Sequence, residues 1–229
     1  MPVEIPEPTF CAVPTDWPDC TQFGARVILL PLSESLVRPW YVRWMNDPQV
    51  TRYLESRTEC GGEGHTLASL KAYVRRQLAN PSVWMFAILL AETGQHIGNV
   101  KLTTNTLHQH GHVGIMIGEA DCWGYGYATE SLRLLRAFAH ISLGLQHVWA
   151  GCYSTNLGGI RAFEKAGFQR EGTLCRHYRS EGAFVDGVLL GSVWDHGVYA
   201  DVSDDRLRRT VTVWGRESEK ERVCRKSAS

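Results

Sequence analysis

The sequence predicts a single-domain α/β fold with a mixed, mostly antiparallel central sheet flanked by helices. Runs of β-branched and aromatic residues predict strands, and two of them, at 83–91 and 96–104, flank the turn Glu-Thr-Gly-Gln. Longer segments at 127–140 and 156–168 space their apolar residues as on one helix face. A chain of 229 residues, 44% hydrophobic and 21% charged, has the balance of an ordinary globular protein.

The first half of the chain contains one strand and two helical segments before the hairpin. Residues 26–32 form an apolar run ended by proline and predict a strand. Residues 33–57 are mostly helical, but Asp47-Pro48 divides them, because the residue before proline disfavours the helical conformation. Residues 65–80 predict a further helix that ends before Pro81.

The second half alternates strands and helices. We predict strands at 112–119 and 146–154, and a closing hairpin that turns at Glu181-Gly182. In the helix at 127–140, four apolar residues share one face and three basic ones lie opposite: Ala128, Leu132, Leu135 and Ala139 against Arg133, Arg136 and His140. The predicted organisation is an arm at 1–24, the α/β domain at 25–200 and a charged tail at 201–229.

Composition excludes several classes of function. The formal net charge is zero, so there is no overall field to attract nucleic acid or an anionic membrane. The seven cysteines are scattered singly, which argues against a disulfide framework and against a zinc cage. No signal peptide and no apolar run of membrane-spanning length is found, so we expect a cytoplasmic protein.

Residues 123–128, Trp-Gly-Tyr-Gly-Tyr-Ala, separate a predicted strand from a predicted helix. Glycines allow positive φ angles and a close approach of ligand to backbone. The start of a helix adds unpaired N–H groups and partial positive charge, which together favour a phosphate or pyrophosphate. The Walker A and dinucleotide-binding patterns both fail here, and a purely structural turn is the alternative.

A second motif lies one strand downstream. Residues 156–168, Asn-Leu-Gly-Gly-Ile-Arg-Ala-Phe-Glu-Lys-Ala-Gly-Phe, resemble the second motif of the GNAT superfamily of acetyl-CoA-dependent N-acetyltransferases. The stretch at 123–128 resembles the pyrophosphate loop of that superfamily, and the similarity covers roughly 26–195. The segment at 41–55 is similar to the branch with ribosomal-protein N-terminal acetylases and acetylases of amino sugars and antibiotics.

The resemblance implies a sheet splayed between its fourth and fifth strands, with acetyl-CoA as co-substrate and no metal. Pantetheine would pair with the backbone of Ile115, Met116 and Ile117 like an added strand. The pyrophosphate would lie on the loop and first helical turn: Trp123, Gly124, Tyr125, Gly126, Tyr127, Ala128 and Thr129. The second motif would complete the coenzyme site with Asn156, Phe163 and Lys165.

The catalytic groups depart from the common GNAT pattern. Phe163 stands where many of these enzymes have a tyrosine that protonates the leaving thiolate, and phenylalanine has no proton to donate. Tyr153 or a water is the candidate replacement. His112 starts the central strand, where this branch often has a glutamate, and histidine is suited to act as general base. The alternative is an ordinary histidine at a strand end.

The resemblance also indicates where the acceptor would bind. We expect contacts from the paired N-terminal helices and from the last hairpin: Trp44, Asn46, Asp47, Tyr53, Glu55 and Asp186. Trp40 is expected in the core, and the alternative role for Asp186 is to brace its strand. Arg57, Arg75 and Arg76 are either solvated or available to an acidic acceptor such as a nucleotide sugar.

These residues predict acetyl transfer from acetyl-CoA to a primary amine of a small molecule, by direct attack and without an acyl-enzyme. An amino sugar or its nucleotide conjugate is the first choice of acceptor. The alternatives are acetylation of a protein amine, as in the ribosomal-protein branch, and a non-catalytic acyl-CoA-binding module. Exposed strand edges in the last hairpin predict a homodimer.

Overall fold

A computed structural model describes residues 20–54, 64–180 and 182–193 of the chain. Its eight strands form one sheet. Seven of them begin or end within a few residues of a predicted strand, and the first, at Gln22–Phe23, lies in the segment that was expected to be an arm. The strands are β1 (Gln22–Phe23), β2 (Val27–Pro31), β3 (Val83–Leu90), β4 (His96–Asn105), β5 (His110–Ile117), β6 (His147–Tyr153), β7 (Gln169–Ser180) and β8 (Ala183–Val193).

Five α-helices flank this sheet in the described part of the chain: α1 (Pro39–Asn46), α2 (Pro48–Thr51), α3 (Leu67–Leu78), α4 (Tyr127–Ala137) and α5 (Leu157–Lys165). The predicted break at Asp47-Pro48 separates α1 from α2, and the Asp47 carboxylate caps α2 by accepting a bond from the Gln49 amide. Thr66 and Ser69 cap α3 reciprocally. No described helix is long and apolar enough to cross a membrane.

The sheet is mostly antiparallel and runs in the order β1-β2-β3-β4-β5-β6-β8-β7. The parallel pair is β5 with β6, and it is short: His110, Gly111 and His112 face His147, Val148 and Trp149. Beyond this point β5 remains paired with β4 as far as Ile117, while β6 remains paired with β8 as far as Tyr153. The two strands therefore separate after His112. They are the fourth and fifth of the predicted strands, since β1 was not predicted, so the predicted splay is confirmed.

The sheet has a hydrophobic core on each face. One core packs α4 and α5 against alternate residues of the strands, including Leu102, Leu132 and Phe163. The other packs α1 and α3 against the opposite residues, including Met85, Trp44 and Val74. Because strand side chains alternate between faces, His112 and Lys101 lie on the same face as α1 and α3.

Two side chains lie where periodicity did not predict them. His140 was expected on the solvent face of the helix at 127–140, but it is 3% exposed. The α-helix ends at Ala137 and continues as a π-turn over Phe138–Ser142, whose wider spacing turns His140 inward. There its Nδ1 lies 2.7 Å from the Leu145 carbonyl oxygen. Trp40, expected in the core, is 39% exposed.

Gly118 is required by the packing of α1 on the sheet. A Cβ at this position would lie 2.1 Å from a ring carbon of Trp44, which is itself buried. We expect Gly118→Ala to reduce the free energy of unfolding by about 1–3 kcal/mol, because the ring must be displaced from a packed core. Gly114→Ala is the matched control, since nothing lies within 4 Å of its added Cβ. Urea unfolding measures both, and equal stability of the two variants would contradict this packing.

β7 forms one edge of the sheet, and most of its side chains are exposed or half-buried. This is the edge on which the expectation of a homodimer rests, and the oligomeric state stays a prediction. The predicted tail at 201–229 and most of the predicted arm at 1–24 lie outside the described residues.

Candidate active site

A cavity of about 1040 Å³ opens where β5 and β6 separate. It is lined by the two diverging strands, from His112 to Met116 on one side and from Gly151 to Tyr153 on the other. It extends on one face to α3, through Tyr73 and Arg76, and on the other to α5, through Phe163. The gap in the sheet thus joins the spaces on its two faces.

The glycine loop precedes α4 beside this gap. Gly124 and Gly126 have φ angles of 83° and 84°, in the left-handed region that favours glycine. Gly126 is the N-cap residue of α4, so the amides of Tyr127, Ala128 and Thr129 lie in the first turn, where a helix offers no acceptor. This backbone can present several N–H groups to one anion, as the sequence predicted.

Side chains on both sides brace the loop. Arg26 donates from Nη1 to the Tyr125 carbonyl at 2.8 Å and from Nε to Glu130 at 2.9 Å, which ties β2 to α4. The Trp123 indole donates to the Ile117 carbonyl at 2.8 Å and joins the loop to the end of β5. These hydrogen bonds hold the loop in place, and Trp123 contributes to them through its indole N–H.

The edge of β5 that faces the gap can accept an extended ligand. From Val113 to Ile117 this edge has no partner among the described strands, since β6 has already diverged. Ile115 and Met116 line the cavity, and Ile117 continues the same edge. A pantetheine arm could add to this edge through main-chain hydrogen bonds, as the resemblance implied.

The second motif forms α5 on the far side of the gap. The Asn156 side chain caps this helix by accepting a bond from the Gly159 amide at 3.0 Å. Phe163 is buried, lines the cavity and packs edge-on against Phe168. Lys165 lies exposed at the last turn of α5 and is not among the cavity-lining residues.

Three tyrosines gather at the β6 side of the gap. The rings of Tyr153 and Tyr178 stack with centroids 4.1 Å apart, and the ring of Tyr53 lies 5.5 Å from that of Tyr153. All three line the cavity. A Cβ at position 151 would lie 2.5 Å from the Tyr178 hydroxyl, so Gly151 leaves room for that hydroxyl.

Sequence reasoning did not find Tyr178, because an irregularity in β7 determines its position. The register between β7 and β8 shifts between Leu174 and Tyr178, and Arg176 has a φ of 51°. The Asp186 carboxylate accepts a bond from the Arg176 amide at 2.8 Å and holds this bulge. Asp186 is not among the lining residues, so it braces its strand rather than contacting the cavity.

His112 is the last residue of β5 that pairs with β6, and it lines the cavity. Its ring lies 4.4 Å from that of Trp149, and it projects from the face that also bears Tyr153. The cavity therefore has a histidine on one wall and tyrosine hydroxyls on the other. The histidine could accept a proton and a tyrosine hydroxyl could donate one. Among the described residues, no group of three or more His, Cys, Asp or Glu is arranged to hold a metal ion.

Cys152 also lines the cavity, but burial raises the pKa of its thiol to about 12. Near neutral pH the thiol is therefore protonated. The thiol is therefore poorly suited to act as a nucleophile.

Three of the residues predicted to contact the acceptor have other contacts in the structure. Trp44 is 1% exposed, and its indole donates to Glu119 at 3.0 Å, so it belongs to the core. Asn46 bonds through its amide to the backbone of His65, and Asp47 caps α2. Neither lines the cavity, and Glu55 lies outside the described residues.

A family model described as "Acetyltransferase (GNAT) domain" matches residues 26–169, which contain the loop, the splay and the second motif. The chain belongs to this family. The GNAT chain is 30% identical over 118 residues to the Bacillus subtilis (strain 168) protein named "Probable N-acetyltransferase YjcK". That match covers 51% of this chain and 65% of the relative, slightly less than two thirds of its length.

Solved GNAT structures share the fold at low identity. A spermidine N-acetyltransferase from Vibrio cholerae, in complex with CoA and spermine, is 18% identical with a TM-score of 0.64, over 74% of this chain and 96% of that one. A ribosomal L7/L12 alpha-N-protein acetyltransferase in complex with coenzyme A is 15% identical with a TM-score of 0.65, over 75% and 96%. Residues 26–169 thus match a GNAT acetyltransferase domain, and the two solved structures share its fold.

Proposed function

We propose that this protein transfers an acetyl group from acetyl-CoA to a primary amine of a small molecule, with an amino sugar as the acceptor class. The observation that carries this proposal is the cavity at the splay. It is lined by His112, Tyr53 and Tyr73, and β5, which forms one of its walls, leads to the loop suited to a diphosphate. The thioester and an amine could meet in this cavity from opposite faces of the sheet.

In the proposed mechanism the loop amides hold the diphosphate of acetyl-CoA, and the acetyl thioester reaches the gap. His112 removes a proton from the acceptor ammonium, directly or through water, because only the neutral amine is a nucleophile. The amine attacks the thioester carbonyl, and the attacking nitrogen loses its second proton to water. The tetrahedral intermediate then collapses to the amide with loss of the CoA thiolate. Tyr153 donates the proton to this thiolate, and the stacked Tyr178 fixes the orientation of its ring.

Direct transfer is favoured over an acyl-enzyme. The cysteine that lines the cavity stays protonated near neutral pH, so it cannot compete with an amine for the thioester. Phe163, in the place where many GNAT enzymes have tyrosine, is apolar and contributes packing only.

We expect Cys152→Ala to retain turnover within about threefold of wild type, because the thiol takes no part in the chemistry. Intact-mass spectrometry after incubation with acetyl-CoA should show no acetyl adduct on the wild-type chain. Alkylation with iodoacetamide is the control. The exposed Cys175 should react much faster than Cys152. A covalent acetyl group on Cys152, formed and consumed during turnover, would contradict direct transfer.

The experiment that tests the proposed function is a thiol-release assay with acetyl-CoA and panels of amino sugars, polyamines, aminoglycosides and N-terminal peptides. Activity on amino sugars supports the proposal. Activity on peptides alone favours the second candidate, a protein N-acetyltransferase, which the shared fold of the ribosomal-protein acetyltransferase supports. Coenzyme binding with no turnover on any amine would favour a non-catalytic binding module.

A further inference from the structure

The cavity lining has an unbalanced charge. Among the described residues, two cationic side chains line it, Arg76 and Lys101. No aspartate or glutamate of the described segments is among its lining residues. A partly enclosed space with cations on its walls attracts anions and disfavours a polycation.

We propose that the amine acceptor carries an anionic group, a phosphate or a carboxylate, and that Arg76 and Lys101 bind this group. The proposal rests on the acetyl transfer proposed above and defines its acceptor further. The anion would lie against α3 and β4, while the amine of the same molecule extends toward His112.

Arg75 and Arg76 are adjacent in α3, and a comparison of their contacts shows why Arg76 is available to bind an anion. Arg75 forms a two-point ion pair with Glu34, with both nitrogen-to-oxygen distances at 2.7 Å. Arg76 points about 100° further around the helix and lines the cavity, with no acidic partner among the residues that the structure describes. Its guanidinium lies 5.7 Å from the centre of the Tyr73 ring, which holds it along the cavity wall. A planar guanidinium in this position suits a phosphate or carboxylate.

Lys101 lies on the floor of the same cleft. It pairs with Gly114 across β4 and β5, and the preceding residue of β5 on this face is His112. Gly114 presents no side chain, so the space above this pair is open. The Lys101 ammonium also has no acidic partner within the described segments. An anion bound here would lie close to the candidate base and could orient the amine toward it.

Asn99 adds a hydrogen-bond donor on the same face of β4. It is 6% exposed and lines the cavity, and its Nδ2 has no partner among the described residues. Its Oδ1 lies 3.0 Å from His96 Nε2, which is also 2.9 Å from the Gly98 carbonyl oxygen. Because both neighbours are acceptors, Nε2 carries the proton, and the Trp40 indole donates to Nδ1. The amide is therefore oriented with its NH₂ group unsatisfied among the described residues, next to the residues that line the cavity.

The test compares acceptors that share an amine and differ in charge. We expect wild-type kcat/KM to be at least about tenfold higher for glucosamine 6-phosphate or muramic acid than for glucosamine, and lowest for spermidine. The comparison of glucosamine 6-phosphate with muramic acid distinguishes a requirement for a phosphate from a requirement for a carboxylate. Arg76→Gln and Lys101→Met should each reduce the preference for the anionic sugar by about tenfold or more, through KM. Arg75→Gln, which removes an equal charge outside the cavity, should leave the preference unchanged.

A binding measurement separates this inference from the proposed function. Calorimetric titration of the CoA-saturated protein with glucosamine 6-phosphate keeps the phosphate loop occupied and needs no turnover. Binding that is weakened by Arg76→Gln and unaffected by Arg75→Gln supports the anion site even if no sugar is acetylated. Acetylation of amino sugars with no preference for charge, or with equal effects of the two arginine substitutions, would overturn the inference and leave acetyl transfer standing.

Discussion

Gly126→Val is expected to weaken coenzyme A binding by at least about tenfold. Gly126 has a φ of 84° and caps α4, and a β-branched residue in this conformation costs about 1–3 kcal/mol. The loop will relieve this strain by rotating its peptide units, and the amides that converge on the diphosphate will then diverge. Calorimetric titration with CoA measures the effect directly.

Gly94→Val controls for strain alone. Gly94 also has a positive φ, 68°, but it lies in the β3–β4 turn, and nothing is within 4 Å of its added Cβ. Both variants should lose stability to urea, and only Gly126→Val should lose affinity for CoA. Equal CoA affinity of folded Gly126→Val and wild type would mean that this loop does not bind the diphosphate.

The second large effect is expected at His112. His112→Ala should lower kcat by about 10²–10⁴-fold, because removal of a positioned general base has an effect of this size. The affinity for acetyl-CoA should be unchanged, since the coenzyme contacts predicted above involve the loop and the edge of β5. The pH profile of kcat/KM should lose one ionisation and retain that of the acceptor amine.

His108→Ala is the matched control for this prediction. His108 lies exposed in the turn before β5 and is not among the cavity-lining residues. Its substitution should leave kcat within about twofold of wild type, as for most surface positions away from a site. Unchanged kinetics of His112→Ala across the pH range would identify His112 as an ordinary strand-end residue.

The sequence predicted the fold closely because its signals are local. Strand composition, the Asp47-Pro48 break and the glycine turns each depend on a few adjacent residues, and each was found in the predicted place. The loop at 124–126 was predictable for the same reason, since its two positive φ angles require glycine or a close substitute. The splay itself came from the family resemblance and is confirmed by the short β5–β6 pairing.

The acceptor side of the site was harder to predict because tertiary packing decides it. Trp40 and Trp44 are one helical turn apart on the same face of α1, so periodicity cannot rank them. The contact of Trp44 with Gly118 puts that ring in the core, while Trp40 remains at the rim. Tyr178 reaches the cavity through a bulge, and His140 turns inward at a π-turn, neither of which has a reliable sequence signal.

A crystal structure of the protein with coenzyme A tests the central claim most directly. The account predicts diphosphate oxygens within about 2.7–3.2 Å of the main-chain nitrogens of 124–129. It also predicts the sulfur in the gap between β5 and β6, near His112 and Tyr153. A coenzyme bound in full, with its diphosphate away from this loop or its sulfur outside the gap, would contradict the account.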